Sequence, residues 1–292
     1  MARLSESELA TRNEGLGATD IVELLGLSPY RGHGPMRLYL EKIGEPVEEE
    51  QDASDDADAR EWGHVQEPVI LAWYERKKKV KLLPGGQVRH KLYSNIWASL
   101  DSKVPGERIV EAKNVGGGMA RHWDVTSDDG IPRYVRAQVV IGQACLGARL
   151  TDVVASLAGR PPHVWTVEYD AELAAYMLVA AVDWWNRHVL LRVPPPLDTT
   201  SATSEFLRRK WPAHEDDEIV PADDAMDQLA TARISAARDE KCAAEKKTLF
   251  DRRLLNLIGA RAGVQGEGWK MTWKAGKDGK RKQRFTCQEE TE

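Results

Sequence analysis

The chain has 292 residues, with 46 acids against 41 lysines and arginines and a net charge of −5. That length supports one large domain or two unequal ones around a real core. No apolar run approaches the roughly 20 residues of a membrane span. The polar opening MARLSESELATRNEG lacks the apolar centre of a signal peptide. Cys145, Cys242 and Cys287 are too far apart for a C-x-x-C pair and too few for a four-cysteine iron–sulfur site. A cytoplasmic protein with reduced thiols is expected.

The acid excess is local. EPVEEEQDASDDADARE (Glu45–Glu61) holds nine acids against one arginine, which leaves the rest of the chain with a small positive charge. Basic residues cluster in RKKKVK (Arg76–Lys81) and in WKMTWKAGKDGKRKQR (Trp269–Arg284). Distribution rather than total charge governs attraction to a polyanion, so nucleic acid is not excluded.

In chain order, GATDIVELLGLSPY predicts a short helix with Thr19 as N-cap and Pro29 closing the segment. GPMRLYLEKIG predicts a second helix between Pro35 and Gly44. The acidic stretch to Asp58 reads as a solvated loop, and a longer helix follows over Ala57–Lys78, kinked at Pro68. KVKLL, VRHKLYSNIWASL and the segment up to Asn114 read as strands, and Gly116–Gly118 break them. Ile131–Ala148 is predicted helical, TDVVASLAG and HVWTVEYD as strands, and AELAAYMLVAAVDWWNRHVLLRV as a long amphipathic helix. PPPLDTTSATSE (Pro194–Glu205) is the clearest linker; FLRRKWP forms a short helix beyond it, Asp224–Arg261 one long charged helix, and the C-terminal segment a basic hairpin. The expected layout is a core over 1–193, a linker and acidic segment over 194–223, and a helix-plus-hairpin extension over 224–292. The fold class is mixed α/β, a central mixed sheet flanked by helices.

The chemistry concentrates in WASLDSKVPGERIVEAKN (Trp97–Asn114). Alternation along a strand puts Glu111 and Lys113 on one face. A three-residue loop of Pro105, Gly106 and Glu107 would pair Val104 with Arg108 and set Asp101 opposite Glu111, with Cβ atoms about 5 Å apart. A two-residue Pro-Gly turn would shift the register by one and break that alignment. Directly opposed carboxylates repel, and a divalent cation such as Mg²⁺, which favours oxygen ligands, reverses the sign. A lysine beside them is placed to hold a water or to stabilise charge developing on phosphate. A solvent-facing hairpin with ordinary mixed charge fits the same spacing. The apolar IWASL and Ile109–Val110 argue instead for a strand pair inside the core, where charges need partners. Glu67, in EWGHVQEP, reads equally as a third carboxylate or as a surface helix glutamate. Gln138, in YVRAQVV, sits in an apolar helix from which it can orient Lys113 or a water.

G-x-x-x-E on a helix, then S-L-D, I-V-E-A-K and Y-x-x-x-Q in that order resemble the phage lambda exonuclease and YqaJ-like viral recombinase family of the PD-(D/E)XK nuclease superfamily. RNEGLGATDIVELLGLSPY resembles that family's N-terminal signature, with Thr19 where serine is usual, and the resemblance extends over residues 12–192. Leu100 stands in place of the motif's proline, which ligates nothing. The resemblance implies a restriction-endonuclease-like core and Mg²⁺-dependent 5′-to-3′ digestion of double-stranded DNA, leaving 3′ tails for recombination. It implies two ions, with Mn²⁺ able to substitute, held by Asp101, Glu111 and the Ala112 carbonyl with help from Glu67. Lys113 would act on the attacking water with support from Gln138, while Arg12 and Thr19 hold DNA phosphate. It further implies DNA ends as substrate, a single-strand annealing protein as partner and a homotrimer within the family. The hairpin chemistry is shared by RecB- or Cas4-like nucleases and by restriction-type endonucleases; the missing cysteine cluster counts against a Cas4-like protein. A catalytically inert DNA-binding protein on the same fold is the alternative of a different class. The sequence contains no G-x-x-x-x-G-K-[ST] loop, so no built-in ATP motor is expected.

Overall fold

The computed structural model describes residues 14–30, 32–47, 53–106, 108–214, 219–276 and 278–287, with backbone alone for 53–60. The chain divides into two compact units, residues 1–213 and 214–292. The first unit opens with β1 (Leu16–Gly17), α1 (Ala18–Leu24), α2 (Pro35–Ile43) and α3 (Ala53–Lys78). Strands β2 (Leu83–Arg89), β3 (Ile96–Val104) and β4 (Arg108–Val115) follow, then α4 (Arg133–Leu146), β5 (Leu150–Leu157), β6 (His163–Glu168), α5 (Ala171–Trp184) and α6 (Ser201–Lys210). The sheet runs β1-β3-β4-β5-β6, with β2 also on β3. It is mixed: β1 with β3 and β4 with β5 are parallel, the remaining pairs antiparallel.

Helices cover both faces. On one, α1, α2, α4 and α5 bury Ile21, Leu38, Val140, Ile141 and Met177 against Leu16, Ile96, Leu100 and Ile109 of the sheet. On the other, Ile70 and Tyr74 of α3 pack on Val104, Val110 and Val154. A third cluster gathers Trp123, Val135, Val139, Val153 and Trp165 at the α4 end. The helix ends follow local chemistry. Pro35 occupies the first turn of α2 and Gly44 ends it at φ 80°, and the Asp170 carboxylate accepts the Leu173 N–H at 2.9 Å to cap α5.

Several boundaries differ from the sequence expectation. Gly17, not Thr19, caps α1: its N–H donates to the Asp20 carboxylate at 2.9 Å, and Thr19 lies exposed in the first turn. Glycine suits that position because a Cβ at Gly17 would press on the Trp97 ring at 3.1 Å. The helix read from Ala57 begins at Ala53 and continues through Pro68. The end of the acidic stretch is therefore helical rather than loop, as the first turns of a helix favour acidic sequence. KVKLL is not a strand. Lys79 adopts φ 56°, and the Leu82 N–H turns back to the Glu75 carboxylate at 2.7 Å, so β2 starts only at Leu83. The final turns of the long amphipathic helix widen into a π-helix over Trp185–Leu190. Half of the expected linker is folded: Ala202 and Thr203 of α6 are buried, and the Asp198 carboxylate accepts from Met36 N (3.2 Å) and Thr203 Oγ1 (2.6 Å).

The second unit contains α7 (Asp224–Ile258), capped where the Asp223 carboxylate accepts the Met226 N–H at 2.8 Å. An antiparallel sheet of β7 (Gly263–Gly266), β8 (Trp269–Ala275) and β9 (Arg281–Cys287) completes it. The basic hairpin expected from the sequence is present and carries a third strand, β7.

Candidate active site

The geometry of β3 creates the site. Its ladder with β2 spans Trp97 to Lys103, which occupies one edge. β1 pairs with Ile96 and Trp97, and β4 with Ser102, Lys103 and Val104, each overlapping the β2 ladder. Both must therefore lie on the other edge of β3, at its two ends, and between them Ala98–Asp101 face a fork. A crevice opens there, lined by Ala18, Ala98, Leu100, Ile109, Glu111 and Gln138 among others. β3 also twists across this point. Leu100 packs under α4, whereas Val104 packs with α3, although residues four apart on a regular strand share a face.

The register of the hairpin is the one a three-residue loop requires: Val104 pairs with Arg108 and Ser102 with Val110. Asp101 is the next residue on β3 and Glu111 the next on β4. The Asp101 carboxylate accepts the Ala112 N–H at 2.8 Å, so a side chain takes up a backbone donor where the strands part. Glu111 is 5 % exposed. Its Oε1 accepts from Lys113 Nζ at 2.7 Å and from Gln138 Nε2 at 3.0 Å, and Lys113 Nζ also donates to Gln138 Oε1 at 3.1 Å. Gln138 thus locks acid and ammonium in one arrangement.

The electrostatics are unbalanced. Burial, then the charge of Glu111, push the Asp101 carboxyl up to about 8, against the opposing pull of Lys113 and the Ala112 N–H; Glu67 adds to the rise. Burial draws Lys113 down, but the Glu111 and Asp101 carboxylates outweigh it and hold it above the usual lysine range, a cation rather than a neutral base. Two carboxylates thus share one ammonium, with a third negative charge in reach. Glu67 projects from α3 with its side chain 33 % exposed and its Oε2 3.9 Å from His64 Nδ1. Arg12 lies outside the described residues.

Two further side chains that reach this site stand within the Y-x-x-x-Q motif and the N-terminal signature, which assign them no role. Tyr134 stands one helical turn before Gln138, and burial raises its hydroxyl while Lys113 lowers it; Tyr30 acts on both Tyr134 and Lys113. The i, i+4 spacing from Gln138 was the available signal for Tyr134. Tyr30 closes the N-terminal signature, and the tertiary fold brings it near Lys113.

Every side-chain donor at the fork is an oxygen, with the Ala112 carbonyl adjacent, a set suited to a hard divalent cation rather than to a thiophilic one. Among the described residues, no group of three or more His, Cys, Asp or Glu forms an all-protein cage. No helix among the described residues is long and apolar enough to cross a membrane.

The alkaline exonuclease LHK-Exo from Laribacter hongkongensis superposes with a TM-score of 0.52 at 18% identity, covering 70% of this chain and 97% of that one. Its complex with dAMP matches with the same values. At that identity the likeness is one of fold. Residues 9–149 match the YqaJ-like viral recombinase domain. The uncharacterized protein YqaJ of Bacillus subtilis (strain 168) is 30% identical over 223 residues, covering 73% of this chain. The match spans 65% of that protein, just under two thirds of its length. The family resemblance carried by the sequence motifs is borne out.

Proposed function

We propose that this chain is a phage-type deoxyribonuclease that hydrolyses phosphodiester bonds from the ends of linear double-stranded DNA, with Mg²⁺, replaceable by Mn²⁺, as its cofactor. The observation that carries the reading is the fork in β3. It gathers Asp101, Glu111, Lys113 and Gln138 beside one another, with more carboxylate than the lysine can neutralise. Asp101, Glu111 and the Ala112 carbonyl would hold the metal, and Glu67 would assist with a second ion. A divalent cation bound there supplies Lewis acidity toward a phosphate oxygen and acidifies a water.

The chain's own groups account for the rest. Glu111 and Gln138 fix Lys113 Nζ, and these bonds use two of its three N–H groups among the described residues. The third is available to the attacking water or to a non-bridging phosphate oxygen, where a permanent positive charge favours the transition state over the ground state. Gln138 acts as the positioning residue. Arg12 and the exposed hydroxyl of Thr19, at the start of α1 beside the crevice-lining Ala18, are the proposed contacts for a 5′-terminal phosphate. Digestion from the 5′ side would leave 3′ tails for a single-strand annealing partner, with a homotrimer as the assembly.

The test is digestion of end-labelled linear duplex with Mg²⁺ and with EDTA, beside covalently closed circular DNA of the same sequence. Loss of label from the linear form alone, only with Mg²⁺ and not with Glu111→Ala, is the expected result. Cleavage of the closed circle would make the protein an endonuclease. Intact DNA throughout, despite binding, would leave a DNA-binding protein without turnover.

A further inference from the structure

The second unit lies outside the residues that match the family domain, and its small sheet has two unlike faces. By the β8–β9 register, Trp269, Met271, Trp273, Arg281, Gln283 and Phe285 share one face. That face is occupied. Met271 is fully buried, Trp269 stacks on Phe285 with centroids 5.8 Å apart, and the Arg281 guanidinium lies 3.7 Å over the Trp273 ring while donating to the Gly259 carbonyl at the end of α7. Gln283 reaches Asp251 of α7 at 3.4 Å.

The opposite face carries Lys270, Thr272 and Lys274 from β8 and Lys282, Arg284 and Thr286 from β9. All four cations are exposed, and none of these six positions is acidic. Lys274 stands directly across from Lys282, a like-charge pair that destabilises a sheet. Lys282 Nζ lies 3.5 Å from the carboxylate of Asp278, which belongs to the turn and not to the face. A sheet that places its acids elsewhere and opposes its lysines on one open face complements a polyanion.

We infer that this basic face of the β7–β9 sheet binds the phosphate backbone of duplex DNA, without regard to sequence. The inference rests on the nuclease reading for the identity of the polyanion. The choice of duplex over single strand comes from the face itself. Single-strand binders stack bases on aromatic rings, and Trp269, Trp273 and Phe285 are all on the opposite face. Lysine, arginine and threonine donors at strand spacing suit a regular row of phosphates.

The experiment titrates the full chain into a fluorescent linear duplex in EDTA over a range of salt concentrations. It compares wild type with a variant carrying Lys270→Gln, Lys274→Gln, Lys282→Gln and Arg284→Gln. A charge-matched control carries Lys241→Gln, Lys246→Gln, Lys247→Gln and Arg252→Gln on α7. The expected result is a loss of affinity of about tenfold or more for the sheet variant near physiological salt. Its plot of log affinity against log salt should become shallower by about 0.9 for each phosphate the face no longer neutralises. The control should keep the wild-type slope, and unlabelled duplex should compete better than single strand. A sheet variant with the wild-type slope, or a control that loses as much, overturns the inference; better competition by single strand overturns the duplex assignment. Thermal unfolding of Lys274→Gln alone should show equal or higher stability, which separates loss of ligand from loss of fold. Cleavage by wild type with Mg²⁺ is scored separately, so a failed nuclease reading is distinguishable from a failed binding face.

Discussion

Two buried acidic centres lie on opposite faces of one sheet, and the contrast between them separates what holds this protein together from what it does. On the α3 side, Asp152 is fully buried and fully answered. Its carboxylate accepts from Tyr74 Oη at 2.5 Å and from Thr166 Oγ1 at 2.7 Å. Arg108 Nη1 donates to both of its oxygens, at 3.1 and 3.2 Å. One negative charge meets one positive charge, and its lone pairs have donors. On the α4 side, Asp101 and Glu111 divide a single lysine, and burial together with the Glu111 charge pushes Asp101 up to about 8. A charge centre that completes itself is structural; one left short of positive charge is arranged for something the chain does not supply.

The sharpest way to break this comparison is to remove Lys113. Lys113→Ala should lower the single-turnover cleavage rate by about 10³-fold or more, as expected for a group acting mainly in the transition state. Duplex binding in EDTA should stay within a few-fold of wild type. Equal losses of binding and turnover would make the lysine a DNA anchor instead. Asp152→Ala should act the other way. Leaving the Arg108 and Tyr74 donors without their acceptor should cost about 3–5 kcal/mol in urea unfolding, while the surviving folded fraction keeps its cleavage rate.

Asp101→Asn sharpens the same contrast from the opposite side. A carboxyl raised in the folded state contributes stability that is present below its unfolded value and lost as pH rises through about 8. The variant should therefore abolish cleavage and yet melt about 2–4 °C higher than wild type in EDTA at pH 8. A lower melting temperature would mean that the acid pair stabilises the fold unaided. The smallest effect is expected at Glu23, which is balanced like Asp152. Burial raises its carboxyl, but His33 and Arg37 outweigh burial and hold it below the ordinary range. Its stability contribution is present above the unfolded carboxylate value and is lost as pH falls through the folded one. Glu23→Gln should cost about 1–2 kcal/mol at neutral pH and flatten the acid limb of the stability curve. An unchanged acid limb would assign the slope to other groups.

The hairpin was legible in the sequence because everything that sets it is local. Pro105-Gly106, two strands and an alternating pattern mark it, but they leave open the choice between a two- and a three-residue loop, and with it the register, which the Val104–Arg108 pairing decides. The fork was not legible. It depends on β1, two residues long, reaching β3 some 80 positions later, a pairing with no periodic signal of its own. The same distance effect explains Thr19: the residue types favoured a threonine cap, but the Trp97 ring leaves little beyond glycine at the true cap position. Asp152 passed unremarked inside TDVV because its four bonds come from three other elements. GVQG, which becomes β7, lacks the alternation that marks a strand.

The pairing of Leu16 and Gly17 with Ile96 and Trp97 has a consequence for the order of folding. Long-range strand contacts form after local ones because closing a large loop is entropically costly. The hairpin with Asp101 and Glu111 pairs locally, but the wall of the crevice beside it closes only when β1, some 80 positions earlier in the chain, docks on β3. The crevice is thus finished later in folding than the hairpin that carries its acids.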